Sequence, residues 1–154
     1  SNPDRPFLRG GRDLQYCDET DDKGSMMSTS RVLIMAGGIL GLLGVVAGAM
    51  GVHALRDTLD ARALSTFETG VRFQMYHALA LLAVGLLAGQ WKTGIVKLSG
   101  VLFTVGVVLF SGSLYILAIT GIGVFGAIAP LGGLSLMAAW TSLIVGAIRQ
   151  RDPS

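Results

Sequence analysis

Residues 98–148 read LSGVLFTVGVVLFSGSLYILAITGIGVFGAIAPLGGLSLMAAWTSLIVGAI, a stretch of 51 residues without one Asp, Glu, Lys or Arg. As a single α-helix it would reach roughly 76 Å at about 1.5 Å per residue, against a bilayer hydrocarbon core of about 30 Å. It therefore has to fold back on itself. Thr120-Gly121-Ile122-Gly123, followed by Gly126 and Pro130, supplies the turn region. Two membrane spans result, near 98–119 and 126–148.

Two more charge-free runs precede it, Val32–Leu55 and Phe73–Trp91. Each is close to the roughly 20 apolar residues that a spanning helix needs, which places the first two spans near 32–54 and 73–90. Composition agrees. Only 14% of the 154 residues are charged, where a soluble domain carries about 25%. Of the 22 glycines, 17 lie inside the apolar runs, as expected where helices pack closely in lipid. The fold class is thus all-α, an integral membrane four-helix bundle over residues 31–148. Ala47-Gly48-Ala49 resembles a signal-peptide cleavage site, but the first apolar run continues well past an h-region of about 7–15 residues.

Residues 1–30 are rich in Asp and Arg and poor in apolar side chains. Such a segment cannot bury enough surface to offset its ordering entropy, so a disordered tail is expected. Met26-Met27 stands just before the first apolar run, which makes residues 1–25 read as an upstream extension, with an ordinary cytoplasmic tail as the alternative. Arg31, Lys92, Lys97, Arg149 and Arg151 lie on one side of the four spans, and Arg56, Arg62 and Arg72 on the other. The bias towards the first group predicts cytoplasmic termini, with a short cytoplasmic tail at 149–154.

Between the first two spans Leu55, Leu59, Ala63, Phe67 and Val71 recur every fourth residue, with Asp57, Asp60, Arg62 and Glu68 between them. That pattern predicts a short amphipathic helix lying on the outer surface or over the mouth of the bundle. In the first span Gly37, Gly41, Gly44, Gly48 and Gly51 are spaced four, three, four, three, so they form one smooth helix face for close packing. An internal partner is favoured for it over another copy of the chain.

The functional signals are sparse. A net charge of +2 without a clustered basic patch gives no support for nucleic-acid binding. The single Cys17 and two histidines leave no basis for a metal or cofactor site. Gly121-Ile122-Gly123-Val124-Phe125-Gly126 has dinucleotide-fingerprint spacing but lacks the surrounding βαβ unit and the acidic residue about 20 positions on. No acid, base and nucleophile set is present, so an enzyme is not expected. What remains is a polar set at similar depth near the outer ends of the spans: His53, Glu68, Arg72, Gln74, Tyr76, His77, Ser111, Ser113 and Tyr115. Ionisable side chains within spans are functional candidates by default. A structural polar cluster is the plainer account of the same residues, with Trp91 and Trp140 as packing or interface residues.

Several segments carry a family resemblance: Gly48-Ala49-Met50-Gly51-Val52-His53-Ala54-Leu55, Phe67 through Ala80 with its Gln74-Met75-Tyr76-His77-Ala78-Leu79-Ala80, Leu109-Phe110-Ser111-Gly112-Ser113-Leu114-Tyr115, and Pro130-Leu131-Gly132-Gly133. Over about residues 31–148 the chain resembles the YgdD-like family of small inner-membrane proteins, domain of unknown function 423. The resemblance implies a bacterial inner-membrane location and supplies no activity. It carries the motif onto His53, Phe67, Gln74, Tyr76, His77, Ser111, Gly112, Ser113, Tyr115 and Pro130. The family often has Thr before the proline, where Ala129 stands here.

The expectation is a polar pocket in the outer leaflet that takes a small ligand, lipid headgroup or ion. His77 would be central, and Glu68 and Arg72 would gate or orient from the amphipathic helix. The alternatives are a structural partner of a larger membrane complex, with the glycine face of the first span as its supporting feature, and a small homo-oligomeric transporter.

Overall fold

The computed structural model describes residues 10–88, 90–91 and 93–149. Four long helices account for nearly all of them: α1 (Gly10–Met50), α2 (Ala61–Leu87), α3 (Thr93–Thr120) and α4 (Val124–Arg149). The parts long and apolar enough to cross a membrane are Met27–Leu55, Ala61–Leu87, Gly94–Thr120 and Val124–Arg149. The chain is a helical membrane bundle. Four spans put both chain ends on one side, the terminal end. The α1–α2 and α3–α4 connections lie on the other, the linker end.

Helix α1 takes in residues 10–30, for which composition predicted no structure; residues 1–9 lie outside the described residues. No proline falls between Gly10 and Met50, and extending a helix from an already nucleated span costs far less than starting one.

The larger correction concerns α2. No separate amphipathic helix lies between the first two spans. One π-helical turn, Gly51–Leu55, closes α1, and a short linker follows. Asp60 then caps α2, its Oδ1 accepting from Ala63 N–H at 2.7 Å. From Ala61 the helix runs unbroken to Leu87, because nothing between those residues stops it: no proline, and glycine only at 70 and 85. The fourfold apolar repeat at Ala63, Phe67 and Val71 belongs to this long helix. Phe67 faces Gly51 of the turn after α1, and Val71 faces Gly48 of α1. At 27 residues, or about 40 Å, α2 exceeds a hydrocarbon core of about 30 Å, so its charged first turns project beyond the hydrocarbon.

The connection between α3 and α4 is Gly121–Gly123. Gly121 adopts φ 71°, a left-handed conformation that suits glycine, and its N–H reaches Leu117 O at 2.9 Å. Pro130, expected in the turn region, lies inside α4. Its ring faces the carbonyl of the residue four earlier. That residue is Gly126, which adds no side chain to the crowding.

Successive helices pack against each other. α1 lies on α2, α2 on α3 and α3 on α4, whereas α1 and α3 barely touch. The glycine face of α1 meets α2. A methyl group at Gly37 would fall 2.9 Å from Ala78 O, and one at Gly44 would fall 2.6 Å from Met75 Sδ. Ser30 Oγ donates to Gly85 O across the same seam at 2.8 Å. The α3–α4 seam follows the same logic, with Gly132 set against the backbone of Phe110 and Gly106 against Leu136. Serine hydroxyls cross it: Ser135 Oγ donates to Leu102 O at 2.8 Å, and Ser99 and Ser142 hydroxyls meet at 2.5 Å. The core lies between α2 and α3, around Leu81, Val84, Val96, Phe103 and Val107.

Gly132→Ala should destabilise the fold by about 1–3 kcal/mol, the usual range for overpacking, because the new methyl group meets backbone atoms of α3. Gly38→Ala, which meets nothing within 4 Å, should leave stability unchanged or slightly raised. Unfolding midpoints in mixed detergent micelles would compare the two.

Candidate functional site

The nine polar residues nominated from sequence do not form one cluster. α2 begins at Ala61, which makes Gln74 its fourteenth residue of 27 and thus its midpoint. His77 lies one turn beyond, towards the terminal end. Both are buried inside the bundle. His53 is exposed at the linker end of α1, in the π-helical turn. Gly41 faces Ala78, so His53 stands about 18 Å along the α1 axis from the level of His77, at about 1.5 Å per residue. The two histidines share no pocket. Glu68 and Arg72 are exposed, and Tyr76 is 62% exposed on the lipid-facing side of α2. None of the three points into the core.

The structure does join Gln74 with Tyr115. Tyr115 O–H donates to Gln74 Oε1 at 2.8 Å, while Gln74 Nε2 donates to Leu40 O of α1 at 2.7 Å. One buried amide thereby ties α1, α2 and α3 together. Gly70 lets Tyr115 lie close to α2, since a methyl group there would fall 2.8 Å from the tyrosine ring. Phe67 packs against the ring, tilted by 42°, at a centroid distance of 4.8 Å. Ser111, one turn below Tyr115, is fully buried, and its hydroxyl has no partner among the described residues. Ser113 is buried and donates to Phe110 O of its own helix at 2.9 Å.

His77 belongs to a different group. Its Nδ1 lies 2.7 Å from Phe73 O, an acceptor, and its Nε2 lies 3.3 Å from Trp140 Nε1–H, a donor. These partners fix the neutral tautomer with the proton on Nδ1. Both ring nitrogens are occupied, and Phe73, Phe103 and Trp140 surround the ring at centroid distances of 5.7–6.2 Å. His77 therefore has no free lone pair for a ligand or ion. It fastens α2 to α4 over the ring of Phe103 on α3. The central binding role expected for His77 is not supported by this geometry. Among the described residues no group of three or more His, Cys, Asp or Glu is placed to hold a metal ion.

Because α1 and α3 both lean on α2 but hardly on each other, a groove of about 410 Å³ is left between them. Its walls are apolar, from Leu40, Leu43, Val46, Ala47 and Met50 on one side and Val107, Val108 and Gly112 on the other. Gln74 and Tyr115 line it as well and are its only residues with polar side chains. Gln74 retains one amide N–H and a lone pair on Oε1 beyond its two bonds, and the Tyr115 oxygen can still accept. Sequence reasoning named both residues but missed that they bond to each other, and it missed Leu40 O and Trp140 as partners. Residue types and spacing along one helix carry no signal for contacts across three.

Tyr115→Phe removes a single interhelical bond and should cost about 0.6 kcal/mol, the average for such bonds in membrane proteins. Gln74→Leu strands Leu40 O and the Tyr115 hydroxyl together and should cost more, about 1–3 kcal/mol. Equal effects of the two substitutions on the unfolding midpoint would contradict the three-helix tie.

A family model for a protein of unknown function, DUF423, matches residues 47–133. The UPF0382 membrane protein YwdK of Bacillus subtilis is 43% identical over 120 residues, which cover 77% of this chain and 98% of that protein. A UPF0382 membrane protein of Staphylococcus saprophyticus is 40% identical over 119 residues, 77% of this chain and 98% of its own length. The UPF0382 inner membrane protein YgdD of Escherichia coli K12 is 38% identical over 122 residues, covering 79% of this chain and 92% of that protein. No solved structure gives a significant match. On its family match, its relatives and its four apolar helices, the chain belongs to the DUF423 family of multi-pass membrane proteins, whose function is unknown.

Proposed function

We propose that this protein binds an apolar, chain-like lipid in the groove between α1 and α3, with a hydrogen-bonding group of the lipid set against Gln74 and Tyr115. The observation that carries the reading is a pair of polar side chains, one of them buried, lining an otherwise apolar groove open to the lipid-facing side. A volume of about 410 Å³ falls in the usual range for ligand pockets, about 300–1,000 Å³. Apolar walls favour a hydrocarbon chain over an ion, for which the lining offers no charge. The role is binding, and no chemical step is assigned to any residue.

The alternative of a scaffold within a larger complex loses its main support, because the glycine face of α1 is already covered by α2. The Lys and Arg bias across the spans supports cytoplasmic termini, and the inner membrane is the location that the Escherichia coli relative's name suggests.

Val108 lines the groove and is 59% exposed, so Val108→Trp should fill it without disturbing the core. Native mass spectrometry of gently delipidated protein should then find a retained lipid on the wild type and a loss of it on Val108→Trp. A wild type that carries nothing, or a variant that keeps its lipid, contradicts the proposal. Orientation has its own test in Cys17, the only cysteine. A membrane-impermeant maleimide should label it in inverted vesicles and not in intact spheroplasts, and the reverse pattern would place the termini outside.

A further inference from the structure

A second cleft, of about 230 Å³, lies between α1 and α2 near the linker end. Its floor is apolar, formed where Gly48 faces Val71 and Gly51 faces Phe67. Its rim carries Glu68 and Arg72, which also line it. These two are four residues apart in α2 and so share one helix face, with Cβ atoms about 6 Å apart. Both side chains are exposed. Arg72 Nη2 donates to Thr69 Oγ1 at 3.2 Å, and no ion pair joins Arg72 to Glu68 among the described residues.

Depth gives this pair its meaning. Phe73–Trp91 contains no charged residue, so Arg72 is the last charge on α2 before hydrocarbon begins. The cleft therefore sits where phospholipid headgroups lie. A cation and an anion side by side above an apolar floor complement a headgroup that itself carries both signs. A guanidinium takes a phosphate through charge-assisted hydrogen bonds, and a carboxylate accepts hydrogen bonds from a primary ammonium. A quaternary ammonium has no N–H to donate, and a purely anionic headgroup would be repelled by the carboxylate. The glycines in the floor leave room for the start of an acyl chain.

We infer that the Glu68–Arg72 cleft binds a phospholipid whose headgroup bears a primary amine, phosphate on Arg72 and ammonium on Glu68. This site is separate from the α1–α3 groove, with which it shares no lining residue, and it does not depend on the reading given to that groove.

The test is lipid competition read by native mass spectrometry, with purified protein exchanged into equal amounts of phosphatylethanolamine, phosphatidylcholine and phosphatidylglycerol. Wild type should enrich phosphatidylethanolamine over phosphatidylcholine by up to about fivefold, the upper range for a solvent-screened ion pair. Glu68→Gln should bring that ratio to about one while phospholipid still binds, and Arg72→Gln should lower binding of all three. Val108→Trp should leave the preference intact. Both charged side chains are exposed, so their replacement should leave the helical circular dichroism unchanged. A wild type without preference, a Glu68→Gln variant that keeps it, or its loss in Val108→Trp would overturn the inference.

Discussion

Hydrocarbon offers no hydrogen-bond partners, and the placement of the buried polar side chains in this bundle follows from that. Each such group must find its partner inside the chain or remain unpaired at a cost of several kcal/mol. Gln74 meets the requirement with Leu40 O and Tyr115, His77 with Phe73 O and Trp140, and Ser135 with Leu102 O. These bonds join four different pairs of helices, so the demand for partners also fixes how the helices are arranged. Bonds of this length require close backbones. Small residues supply the closeness, with Gly37 and Gly44 between α1 and α2, Gly70 between α2 and α3, and Gly106 and Gly132 between α3 and α4.

The same arrangement leaves space. α2 and α3 form the central pair, α1 is attached to one and α4 to the other, and α1 meets α3 only loosely. Two helices that share a support without filling the angle between them create a groove. Its polar lining is the tie that holds the three together, which puts structural and binding demands on the same two side chains. Towards the linker end, α2 extends past the hydrocarbon and carries its charges into the headgroup region. The bundle thus presents lipid with two unlike surfaces, an apolar groove between α1 and α3 and a cleft between α1 and α2 with charged residues on its rim.

Much of this was legible in the sequence. The charge-free runs gave four spans, the Thr120–Gly123 segment gave the turn between the last two, and the 4-3-4-3 glycine spacing gave a smooth face on the first helix. The start of α2 was not legible from charge-free runs. Its first turns carry Arg62, Glu68 and Arg72 on a side that faces away from the core, and a run defined by the absence of charge ends where they begin. That twelve-residue difference put Gln74 and His77 in the middle of a helix rather than at its start, and the expectation of one shared pocket failed because His53 lies far along α1 from His77. The residues that now define the candidate groove, Gln74 and Tyr115, were identifiable as polar groups inside spans. Their bond was not, because it depends on the close approach that Gly70 permits between helices far apart in sequence.

An uninterrupted α2 that carries its middle into hydrocarbon underlies the whole account, and depth measurement reaches it directly. Spin labels at Leu79 and Glu68, introduced into a Cys17→Ser background and reconstituted in bilayers, would be read by power-saturation electron paramagnetic resonance. The account predicts that the label at Leu79, a lipid-facing position, relaxes with oxygen and ignores a water-soluble nickel chelate, and that the label at Glu68 does the opposite. A Leu79 label as accessible to the nickel chelate as the one at Glu68 would contradict it.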